Sequence, residues 1–285
     1  MGNKACRISG MKKNATFFLC VALLPALFVG CVGGSGTPST VPVVVSVPVS
    51  QARQLEIEDK IVSTFENSTT VIQYASIVNI NDGRGFTAGR AGFTSGTGDM
   101  LQVVKDYNAR VPGNGLAKYL AVLQQVNGSA SVVGLEGLVA AWKTAANDGQ
   151  FIAAQDSVND RLYRVPARQL AARLGAVLPL SKLALYEAGI QHGYGTNFDS
   201  IDKIVERASL AAGGTPATGV DEKKWLQSLL TARRADLLNP ANKATAAAWA
   251  ASVSRADAIQ SLYNAGNFNL DKAITITVYG DTFSI

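Results

Sequence analysis

The sequence has a single histidine, His192, and no cysteine after Cys31 among its 285 residues. The chain beyond residue 31 therefore cannot form a disulfide or a Cys/His zinc cluster, and a Ser-His-Asp triad would depend on one imidazole. We accordingly expect no metal and no cofactor. Carboxylates are the groups that remain for acid–base chemistry.

The sequence also has little excess of charge of either sign. Its formal net charge is +5, but four basic residues and no acidic residue lie in residues 1–31, which leaves 22 basic and 21 acidic residues beyond them. A nucleic-acid-binding protein needs a basic surface for the phosphates, and this excess is too small to predict one. Because 47% of the residues are hydrophobic and only 16% are charged, we expect a folded domain with a sizeable core.

The first 50 residues are typical of an exported protein. Lys12-Lys13 precede an apolar run over 17–29, which at 13 residues is shorter than the roughly 20 that span a membrane. We predict a signal peptide over 1–31, whose start is either Met1 or Met11. The stretch from Leu27 to Cys31 resembles a bacterial lipoprotein box, which implies lipidation of Cys31, with plain cleavage as the alternative. Residues 32–50 predict an extended linker, and the expected location is extracellular or in the cell envelope, including an outer-membrane lipoprotein.

The remaining residues, 51–285, predict one mainly helical (α+β) domain with two lobes. Apolar residues recur at helical spacing in three stretches. A strand over 72–80, a turn at Asn81-Asp82-Gly83 and a return over 84–89 predict a small hairpin. We expect Asp199 to cap the third helical stretch. The three sets are Leu55, Ile61, Val62 and Phe65; Leu116, Tyr119, Leu120, Leu123 and Val126; Ile201, Ile204, Val205 and Ala208.

Two charged residues lie where the helical period places core residues. Arg233 shares a face with four leucines between 226 and 237, and Glu187 lies in the segment 177–190, which is apolar on nearly every side. A buried charge is costly unless it is paired. Either each side chain reaches the edge of the core, or a buried ion pair joins the two.

The strongest candidates for catalysis are two carboxylates that flank the start of the hairpin. Glu66 lies at the end of the first predicted helix, and Asp82 lies in the turn. Glycoside hydrolysis requires two such groups, one that donates a proton to the leaving oxygen and one that is ionised. A helix end followed by a hairpin is the layout of lysozyme-like glycosidases. Taken alone, each residue is also compatible with a solvated helix end or an ordinary turn.

At these positions the sequence closely resembles glycoside hydrolase family 46, the bacterial endo-chitosanases. The ordered matches cover roughly 52–283. A phosphate-binding loop is a poor alternative for the glycine-rich stretch 83–98, because this stretch lacks the required spacing. The matching stretches are FENS at 65–68, NDGRGFT at 81–87, GFTSGTGDM at 92–100, AKYL at 117–120, VNGSA at 126–130, HG at 192–193, AGN at 265–267 and YGD at 279–281.

The resemblance implies roles for individual residues. Glu66 matches the general acid, Asp82 the general base of an inverting mechanism, and Thr87 the residue that helps to hold the attacking water. Asp99 matches a carboxylate that binds an amino group of the sugar chain. A further implied role is a charged network that tunes the acid, formed by Glu187, Arg233 and Arg255. We assign supporting substrate contacts to Arg84 and Asn67, whereas His192 is either a structural residue or a subsite contact for the substrate.

These observations predict an endo-chitosanase with a lysozyme-like fold that acts as a monomer on chitosan. A first alternative is a muramidase or chitinase that acts on acetylated sugars, and Asp99 discriminates because an acetamido group offers no ammonium for it to pair with. A second alternative is a non-catalytic lipoprotein that binds amino-sugar polymers. Binding alone would not require both Glu66 and Asp82.

Overall fold

The computed structural model describes residues 50–81, 83–243 and 246–285, and the predicted leader with Cys31 lies outside them. The fold is mostly helical with two small antiparallel sheets, which confirms the predicted class. Within the described residues no helix is long and apolar enough to cross a bilayer. The helices are α1 (Gln51–Asn67), α2 (Asp99–Arg110), α3 (Leu120–Gln125), α4 (Leu138–Ala145), α5 (Gly149–Asn159), α6 (Val165–Leu174), α7 (Pro179–His192), α8 (Ile201–Ala212), α9 (Glu222–Leu238), α10 (Ala246–Ala250) and α11 (Val253–Asn264).

The first sheet has three strands where the sequence predicted a two-stranded hairpin. Its order is β1 (Ile77–Asn79), β2 (Phe86–Ala88) and β3 (Phe93–Thr94), all antiparallel. The first strand is shorter than predicted because the carbonyl of Tyr74 accepts hydrogen bonds from the side chains of Trp142 (2.9 Å) and Gln155 (3.0 Å). The chain therefore joins the sheet only after residue 76.

A second sheet, which the sequence did not indicate, lies at the C-terminal end of the chain. Strands β4 (Thr275–Val278) and β5 (Asp281–Ser284) form a hairpin, and both residues of its turn, Tyr279 and Gly280, have positive φ. Ile276 and Val278 alternate with exposed threonines and are buried. Strand β4 packs against α11 and so extends the helical core.

Helix α7 lies in the centre of the core. From Leu180 to His192 every residue except Lys182 is buried, as its apolar sequence predicted. The helix packs against α1, α6, α8, α9 and α11, so its polar residues lie where those elements meet. Glu187 and His192 are two of those polar residues.

The predicted cap of α8 is wrong. Ser200, not Asp199, is the N-cap, and its hydroxyl accepts from the backbone N–H of Lys203 at 3.4 Å. The Asp199 carboxylate instead accepts hydrogen bonds from the backbone N–H groups of Ala241 (2.7 Å) and Asn242 (2.9 Å). Both residue types cap helices well, and the loop after α9 supplies the donors that decide between them.

Candidate active site

Glu66 is the penultimate residue of α1, and its side chain is partly buried. The helix ends because Ser68 adopts a left-handed conformation (φ 53°) and its N–H bonds to the carbonyl of Thr64 at 3.1 Å. The Glu66 side chain is 13% exposed, and its Oε1 lies 3.0 Å from Nη1 of Arg255. One carboxyl oxygen is therefore held by a guanidinium group.

The turn between β2 and β3 brings Thr87 close to Glu66. Gly92, in this turn, has φ of +61°, and a Cβ at this position would lie 3.3 Å from Thr87 Cγ2 and 3.5 Å from Glu66 Oε2. Gly92 therefore adjoins both side chains. Thr87 is buried and pairs with Val78 in β1 and with Thr94 in β3.

Asp82, the predicted general base, lies outside the described residues. Its neighbours Asn81 and Gly83 both have positive φ, at 54° and 84°, and they belong to the connection between β1 and β2. This agrees with the predicted turn on either side of Asp82.

Asp99 is the first residue of α2, and four hydrogen-bond donors set the orientation of its carboxylate. Its Oδ1 accepts from the backbone N–H of Thr94 (2.7 Å) and Met100 (3.0 Å) and from the hydroxyl of Thr97 (2.8 Å), and Oδ2 accepts from the Tyr163 hydroxyl (3.3 Å). The residue is only 5% exposed. It nevertheless lines a cavity of about 210 Å³, together with Thr97, Gln102, Tyr163, Gly193 and Tyr194.

Arg84 lines a neighbouring cavity of about 340 Å³. Thr97 lines both cavities, and Asn127 and Ser129 complete the wall of the second. The two cavities together offer adjacent spaces to a chain of sugar units. Asn67, by contrast, extends its amide Nδ2 to within 3.5 Å of the carbonyl of Arg90 in the β2–β3 turn.

Of the two roles predicted for His192, the structure supports the structural one and contradicts the substrate contact. Its side chain is fully buried, its Nδ1 lies 3.0 Å from the carbonyl oxygen of Asp199, and its ring packs edge-on against Trp249 at 4.8 Å. Burial, together with nearby Arg233, lowers the pKa of His192 well below its ordinary value, so the imidazole is neutral. A substrate cannot reach a side chain in this position.

The three residues of the predicted charged network meet in the interior behind Glu66. Oε1 of Glu187 accepts from Arg255 Nε (2.6 Å) and from Arg233 Nη2 (2.8 Å), and Arg233 Nη2 also donates to Gln191 (2.7 Å). Burial alone would raise the pKa of Glu187, but the two guanidinium groups outweigh it and hold that pKa below its ordinary value. Since Arg255 contacts both Glu187 and Glu66, an ion-paired chain runs from the core to the surface.

The structure also contains a second charged cluster that the sequence analysis missed. Asp59 and Glu58 on α1 pair with arginines from three other segments: Arg90, Arg164 and Arg168. A signal was available for Glu58, because it precedes Ile61 by three residues and so lies on the apolar face of α1. The arginines of this cluster are 31 to 110 residues away in sequence from the carboxylates that they bind, and local spacing cannot identify them.

The chain is similar to known proteins along most of its length. The model of glycosyl hydrolase family 46 matches residues 60–274. A chitosanase from Bacillus subtilis (strain 168) is 44% identical over 220 residues, which cover 76% of this chain and 79% of that protein.

Two solved structures are similar to most of the fold. Native chitosanase from Bacillus subtilis MY002 has a TM-score of 0.79 and 42% identity, covering 83% of this chain and 100% of that one. The GH46 chitosanase of Gynuella sunshinyii, solved in complex with chitotetraose, has a TM-score of 0.78 and 42% identity, covering 83% of this chain and 99% of that one. The matched family segment includes Glu66, Thr87 and Asp99.

Proposed function

This chain belongs to glycosyl hydrolase family 46, and we propose that it hydrolyses β-1,4 linkages within chitosan by an inverting mechanism. The observation that carries this proposal is the arrangement around Gly92. There a carboxyl group at the end of α1, held on one side by Arg255, approaches the sheet whose first connection contains Asp82. Hydrolysis of a glycosidic bond requires two carboxyl groups, and we assign the second role to Asp82.

Glu66 would donate the proton. Because Arg255 contacts Oε1, the other oxygen of the carboxyl group remains for the glycosidic oxygen of the substrate. As the bond between C1 and the leaving oxygen breaks, the proton of Glu66 passes to that oxygen, and the carboxylate that forms is stabilised by the guanidinium group.

Asp82 would act on the water. It accepts a proton from the water while the water oxygen forms a bond to C1 from the face opposite to the leaving group. Thr87 is buried on β2 and adjoins Gly92, and its hydroxyl would help to orient that water. The product would therefore have the inverted configuration at its new reducing end.

Asp99 would select the substrate. Its carboxylate lines the first cavity and is held by four donors, so it meets a bound sugar without further ordering. An ammonium group of a glucosamine unit can pair with it, whereas an N-acetyl group cannot. This contact favours chitosan over acetylated polymers such as chitin or peptidoglycan.

The stereochemistry of the products tests the mechanism. Inversion at a β-linkage requires that the first reducing ends to form are α-anomers, and we expect proton NMR during the first minutes of hydrolysis to detect them before mutarotation. A Glu56→Gln variant, changed on an exposed part of α1, should give the same anomer. Initial β-anomers would show that the second carboxylate acts as a nucleophile.

Asp99→Ala is expected to raise KM on fully deacetylated chitosan by about 10- to 100-fold, because a charge-assisted hydrogen bond contributes roughly 1.5–3 kcal/mol. The increase should shrink as the substrate becomes more acetylated. Asp99→Asn preserves the size of the side chain, so it separates the effect of the lost charge on KM from the effect of lost packing. Asp106→Ala, on the same helix, is the matched control. An equal loss on both substrates would assign Asp99 a structural role only.

We also propose that the protein is exported through residues 1–31, is lipidated at Cys31 and works as a monomer. The basic and apolar segments of the leader and the lipoprotein-like stretch before Cys31 support this proposal. Mass spectrometry of the mature N-terminus should detect an acylated Cys31, and an unmodified N-terminus would contradict it. Light scattering should give the mass of one chain for the domain without its leader.

A further inference from the structure

Arg90 is a buried arginine in the turn between β2 and β3. It is only 6% exposed, although the turn adjoins the proposed catalytic acid. Two residues further along the turn is Gly92, which adjoins both Glu66 and Thr87. A buried guanidinium group is tolerated only where several acceptors surround it, so its partners indicate what it connects.

The contacts of Arg90 extend in two directions. Toward α1, its Nη2 donates to Asp59 Oδ1 at 2.5 Å, and its carbonyl oxygen lies 3.5 Å from Asn67 Nδ2. Toward α5, its Nη1 donates to Asp156, and its backbone N–H donates to Gln155 Oε1 at 3.2 Å. One residue of the β2–β3 turn is thus attached to both helices.

The two contacts with α1 lie far apart on that helix. Asp59 and Asn67 are eight residues apart, which corresponds to about 12 Å along the helix axis. Two attachment points at this separation restrain the tilt of the helix as well as its distance from the sheet. The second point is the residue directly after Glu66.

This restraint matters because the proposed acid lies on α1, whereas the proposed base belongs in sequence to the sheet that Arg90 attaches to that helix. Glu66 is on α1, and Asp82 belongs to the connection between β1 and β2. Inversion needs a separation of roughly 6.5–9.5 Å that leaves room for one water. A misplacement of about 1 Å can lower a rate on the order of 10²-fold.

We propose that Arg90 is a positioning residue that sets the distance between the acid-bearing helix α1 and the sheet β1–β3. The proposal rests on the proposed function, because it assigns the spacing that the inverting mechanism requires. Arg90 does not touch the reacting atoms. Its role complements that of Arg255, which contacts Glu66 from α11.

The central test compares Arg90→Met and Arg90→Lys with the unaltered protein on soluble chitosan. We expect Arg90→Met to lower kcat on the order of 10²-fold while KM stays within about twofold, because the binding cavities lie elsewhere. Lys at this position should restore part of kcat, since an ammonium group supplies the charge but lacks the planar fork that reaches two carboxylates. A purely structural role would not separate kcat from KM in this way.

Asp59→Asn and Asp156→Asn form a matched pair. Each removes one carboxylate from Arg90, but only Asp59 lies on the helix that carries Glu66. We expect a fall in kcat for Asp59→Asn and a kcat close to that of the unaltered protein for Asp156→Asn. Because Asp59 also pairs with Arg164, a double-mutant cycle in kcat between Asp59 and Arg90 isolates the contact of interest.

Arg168→Met controls for destabilisation of α1. It removes the pair with Glu58, which connects α1 to α6 and not to the sheet. We expect a lower melting temperature with an unchanged kcat. This variant shows whether weaker attachment of α1 to α6 is sufficient to lower kcat.

The possible outcomes separate the two proposals. If the unaltered protein does not cleave chitosan, the proposed function fails before any variant is made. If the protein is active and Arg90→Met keeps its kcat at a temperature where it is folded, the positioning role is overturned. Should Arg90→Met fail to fold, equal kcat values for Asp59→Asn and Asp156→Asn would overturn it instead.

Discussion

Glu66→Gln is expected to abolish nearly all hydrolysis of chitosan while the protein stays folded. Gln cannot donate a proton to the leaving oxygen, and general acid catalysis is typically worth about 10²–10⁴-fold in rate. The change is small in volume, and Arg255 keeps its bond to Glu187 when the charge on Glu66 is removed. The measurement is the release of reducing ends from chitosan, with thermal unfolding and chitosan binding measured in parallel.

Two further variants make this result specific. Glu56→Gln changes the same residue type on the same helix, but Glu56 is half exposed and pairs with Arg53 and Lys60 at the surface, so activity should be unchanged. Asp82→Asn should also be severely impaired, because the water then loses its base. If Glu66→Gln and Asp82→Asn both retain nearly full rates, the catalytic assignment is wrong.

Arg233→Ala is expected to lower stability and activity together. Arg233 is 1% exposed, and its partner Glu187 is fully buried. Removal of one member of such a pair leaves a buried charge and costs roughly 3–5 kcal/mol. Since Arg255 joins Glu187 to Glu66, the loss also changes the electrostatic field at the acid, and Arg255→Ala should behave in the same way.

The neighbouring residue provides a close control. Arg234 lies on the same helix and pairs with Asp257, but both side chains are about half exposed, so Arg234→Ala should cost less than about 1 kcal/mol. A double-mutant cycle between Glu187 and Arg233, measured by denaturant unfolding, gives the coupling of the buried pair. Strictly additive effects on the free energy of unfolding would show no coupling between Glu187 and Arg233, and the proposed role of the network would then be wrong.

Periodicity and local motifs determined much of this protein without any tertiary information. The apolar spacing of 55–65 and 226–237 predicted helical faces that lie on α1 and α9 in the structure, and it placed Arg233 on a buried face, where the structure has it. The helical period can do this because a side chain's face depends only on its position along the helix. The ordered motifs around Glu66 and Asp82 also indicated the family without tertiary information, because each motif is a short local segment.

Only the tertiary structure decided which groups meet on those faces. The sequence left open whether Glu187 and Arg233 pair and whether His192 is structural, and it was wrong about Asp199. The surroundings of His192 and Asp199 come from α9, α10 and the loop between them. No local pattern indicated that Arg90 reaches Asp59 on α1 and Asp156 on α5. A buried polar group is stabilised by whichever partners the packed elements bring to it, and those partners lie tens of residues away, beyond what local spacing can specify.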